Sequence, residues 1–417
     1  MVSRRGRSPQ RRSRPPRARA AAKVRQLEIS SLAAGGDGVG RDEGGRVVFV
    51  PRTAPGDVIA AELVHETASY ARGELREVRR PSPARRAAGC ATFDAGCGGC
   101  QWLHVEESAQ RAAKQALVTS ALRNVPALEV RPLLAPVAPL GWRRRARFHV
   151  RGGRLGLFAA RSQRLLETTR CPQLHDALEA ALAVVAARPP RDGELALAVG
   201  VGGRVALAHD APWPGAGALV GRAGIVGIAA ADGRWGEPVL ELEPGLWGDA
   251  AAFAQASEQG NAAIAREVVA ALGAGGGRAL LELFAGAGNL TRAIVAAGWR
   301  VVATDVVAPA VPPGGREVEW ITADAGEALR LVGPRRGELA AAVLDPPRAG
   351  ARDLLDALAA LELERLVYVS CDPATLARDV ERLTRAGYHA VFAQAIDTMP
   401  QTAHLEIVLS LRRGAAG

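Results

Sequence analysis

Residues 278–305 constrain the fold most, because they combine an apolar strand, a glycine turn, a helix and a second strand. The apolar run before Gly286 predicts a buried strand, and Gly286 and Gly288 allow a tight turn before a helix that begins at Asn289. A second apolar run ends at Asp305, where a carboxylate can accept hydrogen bonds from ribose hydroxyls. The sequence therefore predicts a βαβ unit that binds a ligand containing a ribose.

The glycine pattern distinguishes between two classes of such ligands. A dinucleotide fingerprint has a third glycine where this chain has Thr291, which disfavours NAD. The run from Glu282 to Gly288, E-x-x-x-G-x-G, is typical of S-adenosylmethionine sites. A turn that merely joins the strand to the helix is the alternative.

The chain keeps a strand-and-helix rhythm after this unit, and chemically active residues stand at the strand ends. Asp324 ends WITAD, Asp345 follows AAVL, and Cys371 follows LVYVS. Ligands of open α/β sheets bind at the carboxyl ends of the strands. We therefore expect these three residues to lie on the same edge as Gly286 and Asp305.

The length and charge of the chain indicate the number of domains and a basic N-terminal tail. A chain of 417 residues predicts two to four domains. The formal net charge is +10, and residues 1–25 alone contain ten Arg or Lys and no acid. We expect this tail to be disordered and attracted to polyanions, while a solubilising tail, a misplaced start codon or a transit peptide stay open as alternatives.

The sequence has no apolar run of about 18 residues, so we expect a soluble, cytoplasmic protein without membrane contact.

Two segments outside the βαβ unit favour contact with RNA. Residues 26–80 contain short β-rich runs separated by Gly, Asp and Pro, which predicts a five-stranded barrel of the oligonucleotide-binding type. In residues 141–150, Arg143, Arg145 and Arg147 alternate with apolar residues, and His149 continues the pattern. This stripe predicts phosphate contacts. A small β-module and a solvated strand face are the respective alternatives.

Four of the five cysteines favour an inorganic site. Cys90, Cys97 and Cys100 are separated by six and two residues within a glycine-rich loop, and Cys171 is the candidate fourth ligand. Four thiolates can hold tetrahedral zinc or a [4Fe-4S] cluster. Because the chain has a single C-x-x-C knuckle, we favour the cluster.

The remaining cysteine, Cys371, precedes a predicted helix that starts near Pro373, and a helix N-terminus favours a thiolate. A thiolate that adds to C6 of a pyrimidine makes C5 nucleophilic enough to attack a sulfonium methyl group. A base then removes the C5 proton and the thiolate leaves. A thiol and a carboxylate beside an S-adenosylmethionine pocket are the groups that this reaction needs.

The motifs that carry this chemistry resemble one family. Phe253 and Gln255, ELFAGAGNLT, DPPRAG, SCDPATLARD and HLE, together with C-x6-C-x2-C and Cys171, are similar to the RNA uracil-5-methyltransferases that form 5-methyluridine. The resemblance covers residues 22–412. An N-terminal TRAM barrel combined with iron–sulfur cysteines is similar to the bacterial 23S rRNA members.

The resemblance implies roles for individual residues. Cys371 matches the nucleophile, Glu406 the base that takes the C5 proton, and Asp345 the residue that borders both the methyl donor and the target base. The positions that match donor-binding residues are Gln255, Phe284, Gly286, Asn289, Asp305, Asp324 and Asp345. The positions that match cluster ligands are Cys90, Cys97, Cys100 and Cys171.

The resemblance also implies an architecture and a substrate. We expect an α/β protein with a disordered basic tail at 1–22, a TRAM barrel at 23–82, a mixed α/β central domain with the [4Fe-4S] cysteines at 83–245, and a Rossmann-like class I S-adenosylmethionine methyltransferase domain at 246–417. We expect a monomer that acts on RNA, with 23S rRNA favoured and the tRNA T-loop uridine open. Cytosine methylation is disfavoured because DPPR contains no cysteine. A non-catalytic iron–sulfur RNA-binding protein is the alternative from another functional class.

Three positions depart from the family pattern. The first cysteine gap is six residues where five is usual, and Asp305 replaces the more common Glu. Asp372 stands where Asn often follows the nucleophile. A negative charge there would raise the pKa of Cys371 and oppose the helix dipole.

Overall fold

The structure is a computed structural model, and it describes residues 24–414. The basic tail predicted at 1–22 lies outside the described residues. The described chain forms a closed barrel, a seven-stranded sheet, a two-stranded hairpin and an eight-stranded sheet. None of the helices within residues 24–414 has the length and apolar character that crossing a bilayer requires.

The first five strands close into the barrel that the sequence predicts, in the order β1-β2-β3-β5-β4. They are β1 (Val24–Leu32), β2 (Gly38–Arg41), β3 (Val47–Val50), β4 (Val58–Glu66) and β5 (Tyr70–Arg80). Alternate strand residues face opposite sides of a sheet, so Leu27 and Ile29 of β1 meet Val50 and Ile59 inside the barrel. The barrel therefore has an apolar core of its own.

Hydrogen bonds join the barrel to the segment that follows it. The buried Trp102 donates its indole N–H to the carbonyl of Gly36 at 3.0 Å. The fully buried Asp57 accepts the Ser82 N–H at 2.9 Å and pairs with Arg85 at 2.7 Å. A buried carboxylate requires such partners, so the orientation of the linker is set by Asp57.

The central region contains a seven-stranded sheet in the order β13-β12-β11-β10-β7-β8-β9. Before it come α1 (Ala91–Asp94), α2 (Glu107–Leu122) and β6 (Glu129–Val130). The sheet and its covering elements are β7 (Arg145–Arg151), β8 (Arg154–Phe158), β9 (Leu165–Glu167), α3 (Asp176–Ala186), β10 (Gly193–Val199), β11 (Val205–His209), β12 (Ile225–Ala230), β13 (Gly233–Gly236), β14 (Val239–Glu243) and β15 (Leu246–Asp249). Leu178 and Leu182 of α3 cover one face, and Leu240 and Leu242 of the β14–β15 hairpin cover the other.

The C-terminal region is a doubly wound sheet in the order β18-β17-β16-β19-β20-β22-β21-β6. Its elements are α4 (Glu258–Leu272), β16 (Ala279–Leu283), α5 (Asn289–Ala296), β17 (Arg300–Asp305), β18 (Val318–Thr322), α6 (Ala325–Val332), β19 (Leu339–Leu344), α7 (Leu355–Ala359), β20 (Arg365–Ser370), α8 (Pro373–Arg385), β21 (Tyr388–Ile396) and β22 (Glu406–Arg413). Strands β16 to β20 are parallel, and β22 runs antiparallel to both β20 and β21. This is the Rossmann-like architecture expected from the sequence.

Two layers of helices bury the faces of this sheet. Helices α4 and α5 contribute Ile264 and Ile294 to one apolar cluster. On the other face α2 contributes Val118 and α8 contributes Val380. Strand β6 pairs in parallel with β21 at the sheet edge. The segment 107–130, which the expected domain division assigns to the central domain, thus packs on the eight-stranded C-terminal sheet.

Candidate active site

The glycine turn after β16 has a conformation that few residues other than glycine adopt. Gly286 and Gly288 have φ of 58° and 86°, and a Cβ at Gly288 would lie 2.3 Å from the Pro313 side chain. Phe284 has φ of 63°, an unfavourable value for an aromatic residue, at the point where the strand ends. A Cβ at Gly286 would meet no atom within 4 Å, so open space lies in front of the turn.

Thr291 stands where a dinucleotide fingerprint has glycine, and the structure shows its role. Its hydroxyl donates to Glu282 Oε2 at 2.7 Å, and both residues are buried. Burial raises the pKa of Glu282 to about 8, with the charges of Asp345 and Asp305 acting in the same direction. The E-x-x-x-G-x-G motif therefore places a buried carboxyl group directly behind the turn.

Asp305 and the residues beside it form the rim next to the turn. Its Oδ2 accepts the Gly286 N–H at 2.9 Å, and its Oδ1 accepts the Val307 N–H at 3.1 Å. Val306 and Val307 are 66% and 67% exposed, which is unusual for two consecutive valines. A hydrogen-bonding carboxylate beside an exposed apolar surface is suited to a nucleoside.

Other predicted donor-binding residues lie on separate segments. Asp324 caps α6, where its Oδ1 accepts the Glu327 N–H at 2.9 Å. Phe253 is 79% exposed and Gln255 is half-buried, and both stand on the segment between β15 and α4. None of these three described side chains forms a hydrogen bond with the glycine turn at residues 284–288.

Asn289 makes a contact that the sequence did not predict. Its amide and that of Asn261 exchange two hydrogen bonds, at 2.6 and 2.7 Å. Asn261 also donates to Glu243 at 2.9 Å, and Glu243 pairs with Arg292. The first turn of α5 is thereby connected to α4 and to the β14–β15 hairpin.

Cys371 and Glu406 stand at the adjoining ends of neighbouring strands. Ser370 of β20 pairs with Ile407 of β22, so the next residue on one strand and the preceding residue on the other occupy one edge. Cys371 is half-buried there, and Glu406 is 7% exposed. The antiparallel register of β22 brings together two residues that are 35 positions apart.

The electrostatics of this edge differ from the sequence-based expectation. Burial, together with the charges of Glu406 and Asp345, raises the pKa of Cys371 to about 11, and the positive charge of Arg348 acts in the opposite direction. The prediction of an activated thiolate at Cys371 is therefore wrong, because burial and the neighbouring acids outweigh the helix N-terminus. Asp372 instead caps α8, where its Oδ1 accepts the Thr375 N–H at 2.8 Å.

The carboxyl groups of Asp345 and Glu406, beside Cys371, also have raised pKa values. Burial raises the pKa of Asp345 to about 6. Burial and the negative charge of Asp345 raise the pKa of Glu406 well above its ordinary value. Two acids that share a buried edge disfavour each other's ionisation, so the pair can hold or accept a proton near neutral pH.

Helix α8 holds the DPPRAG loop in place. The Ala351 N–H and the Tyr368 hydroxyl donate to Asp379 Oδ2 at 2.9 and 2.7 Å. Gly350 has φ of 80°, and a Cβ there would lie 2.4 Å from the same carboxylate oxygen. The SCDPATLARD motif thus supplies both Cys371 and the anchor of the loop that follows Asp345.

The four remaining cysteines line one cavity of about 220 Å³. Its lining comes from both sides of the central region, with Cys90, Cys97 and Cys100 on one segment and Cys171 on another. Burial raises the pKa of Cys97 and Cys171, and raises that of Cys100 to about 12. Among residues 24–414, no group of three or more His, Cys, Asp or Glu side chains is arranged to hold a metal ion.

Comparisons with known proteins agree with this architecture. A TRAM-domain profile matches residues 22–75, and a profile described as tRNA (Uracil-5-)-methyltransferase matches residues 336–414. The 23S rRNA (uracil(1939)-C(5))-methyltransferase RlmD of Chromohalobacter salexigens is 32% identical, over 93% of this chain and 89% of the relative. The chain belongs to the RNA uracil-5-methyltransferase family.

Two further proteins support the assignment of this RNA uracil-5-methyltransferase. An uncharacterized RNA methyltransferase of Thermosynechococcus vestitus is 33% identical, over 93% of this chain and 97% of the relative. The tRNA (uracil-54, C5)-methyltransferase of Pyrococcus abyssi, solved with S-adenosyl-L-homocysteine, covers 93% of this chain and 100% of its own with a TM-score of 0.69. At 19% identity the second likeness shows a shared fold.

Two residues of this methyltransferase edge were not predicted from the sequence. Arg348 Nη2 donates to His404 Nδ1 at 3.1 Å. Burial and the charge of Arg348 lower the pKa of His404 to about 4, so the imidazole is neutral near pH 7. Both residues stand inside motifs that were recognised, DPPRAG and HLE, and that proximity is the signal that could have identified them.

The predicted basic stripe of the methyltransferase has mostly internal roles, which corrects the sequence-based interpretation. Arg145 donates to the backbone carbonyls of Asp249 and Ala250 at 3.2 and 2.9 Å. Arg147 pairs with Glu194 at 2.6 Å. Arg143 lines the cysteine cavity. The alternation was predicted correctly, but these guanidinium groups mainly orient protein segments.

The raised pKa of Cys371 predicts that its thiol is alkylated slowly near neutral pH. Since only the thiolate is alkylated, the reaction of iodoacetamide with Cys371 should be slow near pH 7 and should still accelerate between about pH 8 and pH 10. Replacing Arg348 with Gln removes a favourable charge and should slow the reaction further. Peptide mass spectrometry measures the rate at this site. A rate that reaches a plateau by about pH 10, as expected for an ordinary thiol with a pKa of about 8.5, would contradict the raised pKa.

Proposed function

We propose that this RNA uracil-5-methyltransferase acts on a uridine of 23S rRNA, with Cys371 as nucleophile, Glu406 as base and S-adenosylmethionine as methyl donor. The observation that carries the proposal is the strand register that places Cys371 and Glu406 on one buried edge beside Asp345. A thiol and a base are the protein groups that C5 methylation requires, and the Asp345 carboxyl group lies beside both.

The first step is addition of the Cys371 sulfur to C6 of the target uracil. The thiol must first lose its proton, and we assign this proton to the Asp345 carboxylate, whose pKa of about 6 leaves it largely ionised near pH 7. Glu406 then stays available for the C5 proton. Arg348 favours the thiolate through its positive charge. As the sulfur–C6 bond forms, the electrons of the C5–C6 double bond move towards C5 and O4 and give an enolate.

The later steps transfer the methyl group and release the product. S-Adenosylmethionine supplies an electrophilic methyl group to C5, and S-adenosylhomocysteine leaves with the electrons of the broken sulfur–carbon bond. The Glu406 carboxylate then takes the C5 proton, the double bond re-forms, and the Cys371 thiolate leaves C6. The target base must be turned out of its stack to reach this edge, so we expect a loop or a remodelled RNA fold as substrate.

The methyl donor fits the glycine turn. The open space before Gly286, the Asp305 carboxylate and the exposed Val306 and Val307 together accommodate a nucleoside. In this proposal the donor-binding residues are Gln255, Phe284, Gly286, Asn289, Asp305, Asp324 and Asp345. Asn289 contributes through the Asn261 amide pair that orients the first turn of α5.

The identity of the RNA is supported by the relatives. The enzyme of Chromohalobacter salexigens, named for uracil 1939 of 23S rRNA, is 32% identical to this chain over 93% of its length. The barrel that the TRAM profile matches is suited to holding RNA. A tRNA uridine is the second candidate, because the Pyrococcus abyssi enzyme with the same fold is named for uracil 54 of tRNA.

Labelled S-adenosylmethionine distinguishes the two substrates when unmodified rRNA and tRNA are offered together. We expect 5-methyluridine in 23S rRNA, mapped by mass spectrometry, and no label in tRNA. Label in the tRNA T-loop would support the same reaction but identify tRNA as the substrate. Absence of label from both RNAs would favour a binding protein instead.

Two variants test the assigned roles. Cys371→Ala should lose turnover by at least about 10⁴-fold, because C5 is not activated without the thiolate, while donor binding is retained. Glu406→Gln should accumulate a methylated covalent adduct with RNA, since addition proceeds and proton removal stalls. Denaturing gels and mass spectrometry measure the adduct. Normal product release by Glu406→Gln would assign the base to another residue.

We propose that Cys90, Cys97, Cys100 and Cys171, which line one cavity, hold an iron–sulfur cluster once their sulfurs converge on it. Gln173 lines the same cavity at 2% exposure, and neither its amide oxygen nor its nitrogen has a hydrogen-bond partner. Buried amides are normally satisfied, so an orphaned amide at a cysteine cavity indicates a group that accepts its N–H. Cluster sulfides accept such hydrogen bonds. We assign the cluster a structural or RNA-contacting role, with no part in methyl transfer.

The fifth cysteine provides a control for this assignment. Protein purified without oxygen should be brown and contain equal amounts of iron and acid-labile sulfide. Cys100→Ser should lose both, whereas Cys371→Ala should retain both, because Cys371 lies on the methyltransferase sheet. Stoichiometric zinc without sulfide in the parent protein would overturn the cluster and favour a tetrahedral site.

A further inference from the structure

The loop that leads into Glu406 is held mainly by another part of the chain. This loop, residues 397–405, joins β21 to β22 and carries His404, and we name it the base loop. Asp397, Thr398, Gln401 and Thr402 are polar, yet each is at most 3% exposed. Buried polar residues need hydrogen-bond partners. The partners of Asp397 and Gln401 come from the segment around α2, whereas the Thr402 hydroxyl donates to the Met399 carbonyl within the loop.

Gln401 is the centre of these contacts. It is fully buried, and each of its polar atoms is partnered from outside the methyltransferase sheet. Its N–H donates to Gln110 Oε1 at 2.9 Å, and its carbonyl accepts the Trp102 N–H at 3.0 Å. Its Oε1 accepts from Gln110 at 2.7 Å and from Arg86 at 2.8 Å. Its Nε2 donates to the Pro139 carbonyl at 3.3 Å.

Residues on both sides of Gln401 in the base loop are also bonded to the segment around α2. Lys114, which is fully buried, pairs with Asp397 at 2.5 Å and donates to the Met399 carbonyl at 3.1 Å. The Ala403 N–H donates to Gln101 Oε1 at 3.2 Å. Positions 397, 399, 401 and 403 are therefore all fastened to residues 86–139.

The backbone of Gln401 shows that these contacts impose a conformation. Its φ is 67°, in the left-handed region that L-residues disfavour by about 1–2 kcal/mol. Such strain persists where the surroundings over-determine the local structure. Five residues later the chain enters β22 at Glu406, so the contacts of Gln401 influence where that strand begins.

We infer that Gln401 and Gln110 are positioning residues that set the place of the Glu406 carboxylate and the His404 imidazole. The inference rests on the role proposed for Glu406. Neither glutamine is required to contact RNA or the methyl donor. The amide pair acts by fixing the base loop, and through it the geometry of proton removal from C5.

The geometry also indicates which step depends on the pair. Cys371 follows β20 and precedes α8, and neither element includes the base loop. Loosening the loop should therefore leave addition and methyl transfer largely intact and slow the removal of the C5 proton. A displacement of about 1 Å of a catalytic group can cost about 100-fold in rate.

Two variants and one matched control test this inference in the full-length enzyme. Gln401→Gly removes the side-chain bonds while allowing the left-handed backbone without strain. Gln110→Leu removes the other half of the pair. Gln115→Leu is the control, because Gln115 lies on the same helix but bonds to Leu133 and Arg131 rather than to the base loop.

We expect Gln401→Gly and Gln110→Leu to lower kcat about 100-fold, with the KM for S-adenosylmethionine unchanged. Both should accumulate methylated covalent RNA adduct on denaturing gels, as Glu406→Gln does. Gln115→Leu should turn over normally without adduct. A general loss of folding lowers the concentration of active enzyme but does not enrich a late intermediate.

The outcomes separate the inference from the proposed function. Adduct with Glu406→Gln, together with normal kcat in both glutamine variants, would overturn the positioning role. A loss of rate without adduct in both variants would also overturn it, because an early step or folding would then be affected. Absence of adduct with Glu406→Gln itself would instead contradict the role of Glu406.

Discussion

The burial of several acids at one edge of the sheet is the constraint on which the site depends. Glu282, Asp345 and Glu406 are carried by three different strands or strand ends, and burial raises the pKa of each. Ionised carboxylates are costly to bury, and neighbouring ones disfavour each other. The Asp345–Glu406 pair can therefore gain or lose a proton near neutral pH. The proposed reaction needs this property, because one proton must leave the thiol and a second must later leave C5.

The surrounding structure compensates for this burial with contacts from distant segments. Thr291 donates to Glu282, and Arg348 lowers the pKa of both Cys371 and Glu406. Asp379 anchors the loop between Asp345 and α7. The central region contributes as well, because its arginines orient backbone segments. The edge is consequently held by several segments of the C-terminal region and by the segment around α2, which bonds to the base loop.

The positions of the strand-end residues were predictable from the sequence, whereas their electrostatics were not. The position of Asp305, Asp345 and Cys371 at strand ends was predicted and is confirmed, because apolar runs and the parallel-sheet rule determine it. The activated thiolate was predicted wrongly, since the helix N-terminus was weighed and the buried acids were not. The function of the Arg143–Arg147 stripe was also missed, because alternation along a strand does not reveal which carbonyl groups pack beside it.

The sequence by itself determined the element order, the family and the chemically active residue types, because these depend on local pattern and on motifs that are contiguous in the chain. Only the tertiary structure decided the protonation of Cys371, the amide pair of Asn289 with Asn261, and the fastening of Gln401 to Gln110. Each of these depends on the distance between segments that are far apart in sequence and on how completely water is excluded between them. Those quantities exist only after the chain has folded.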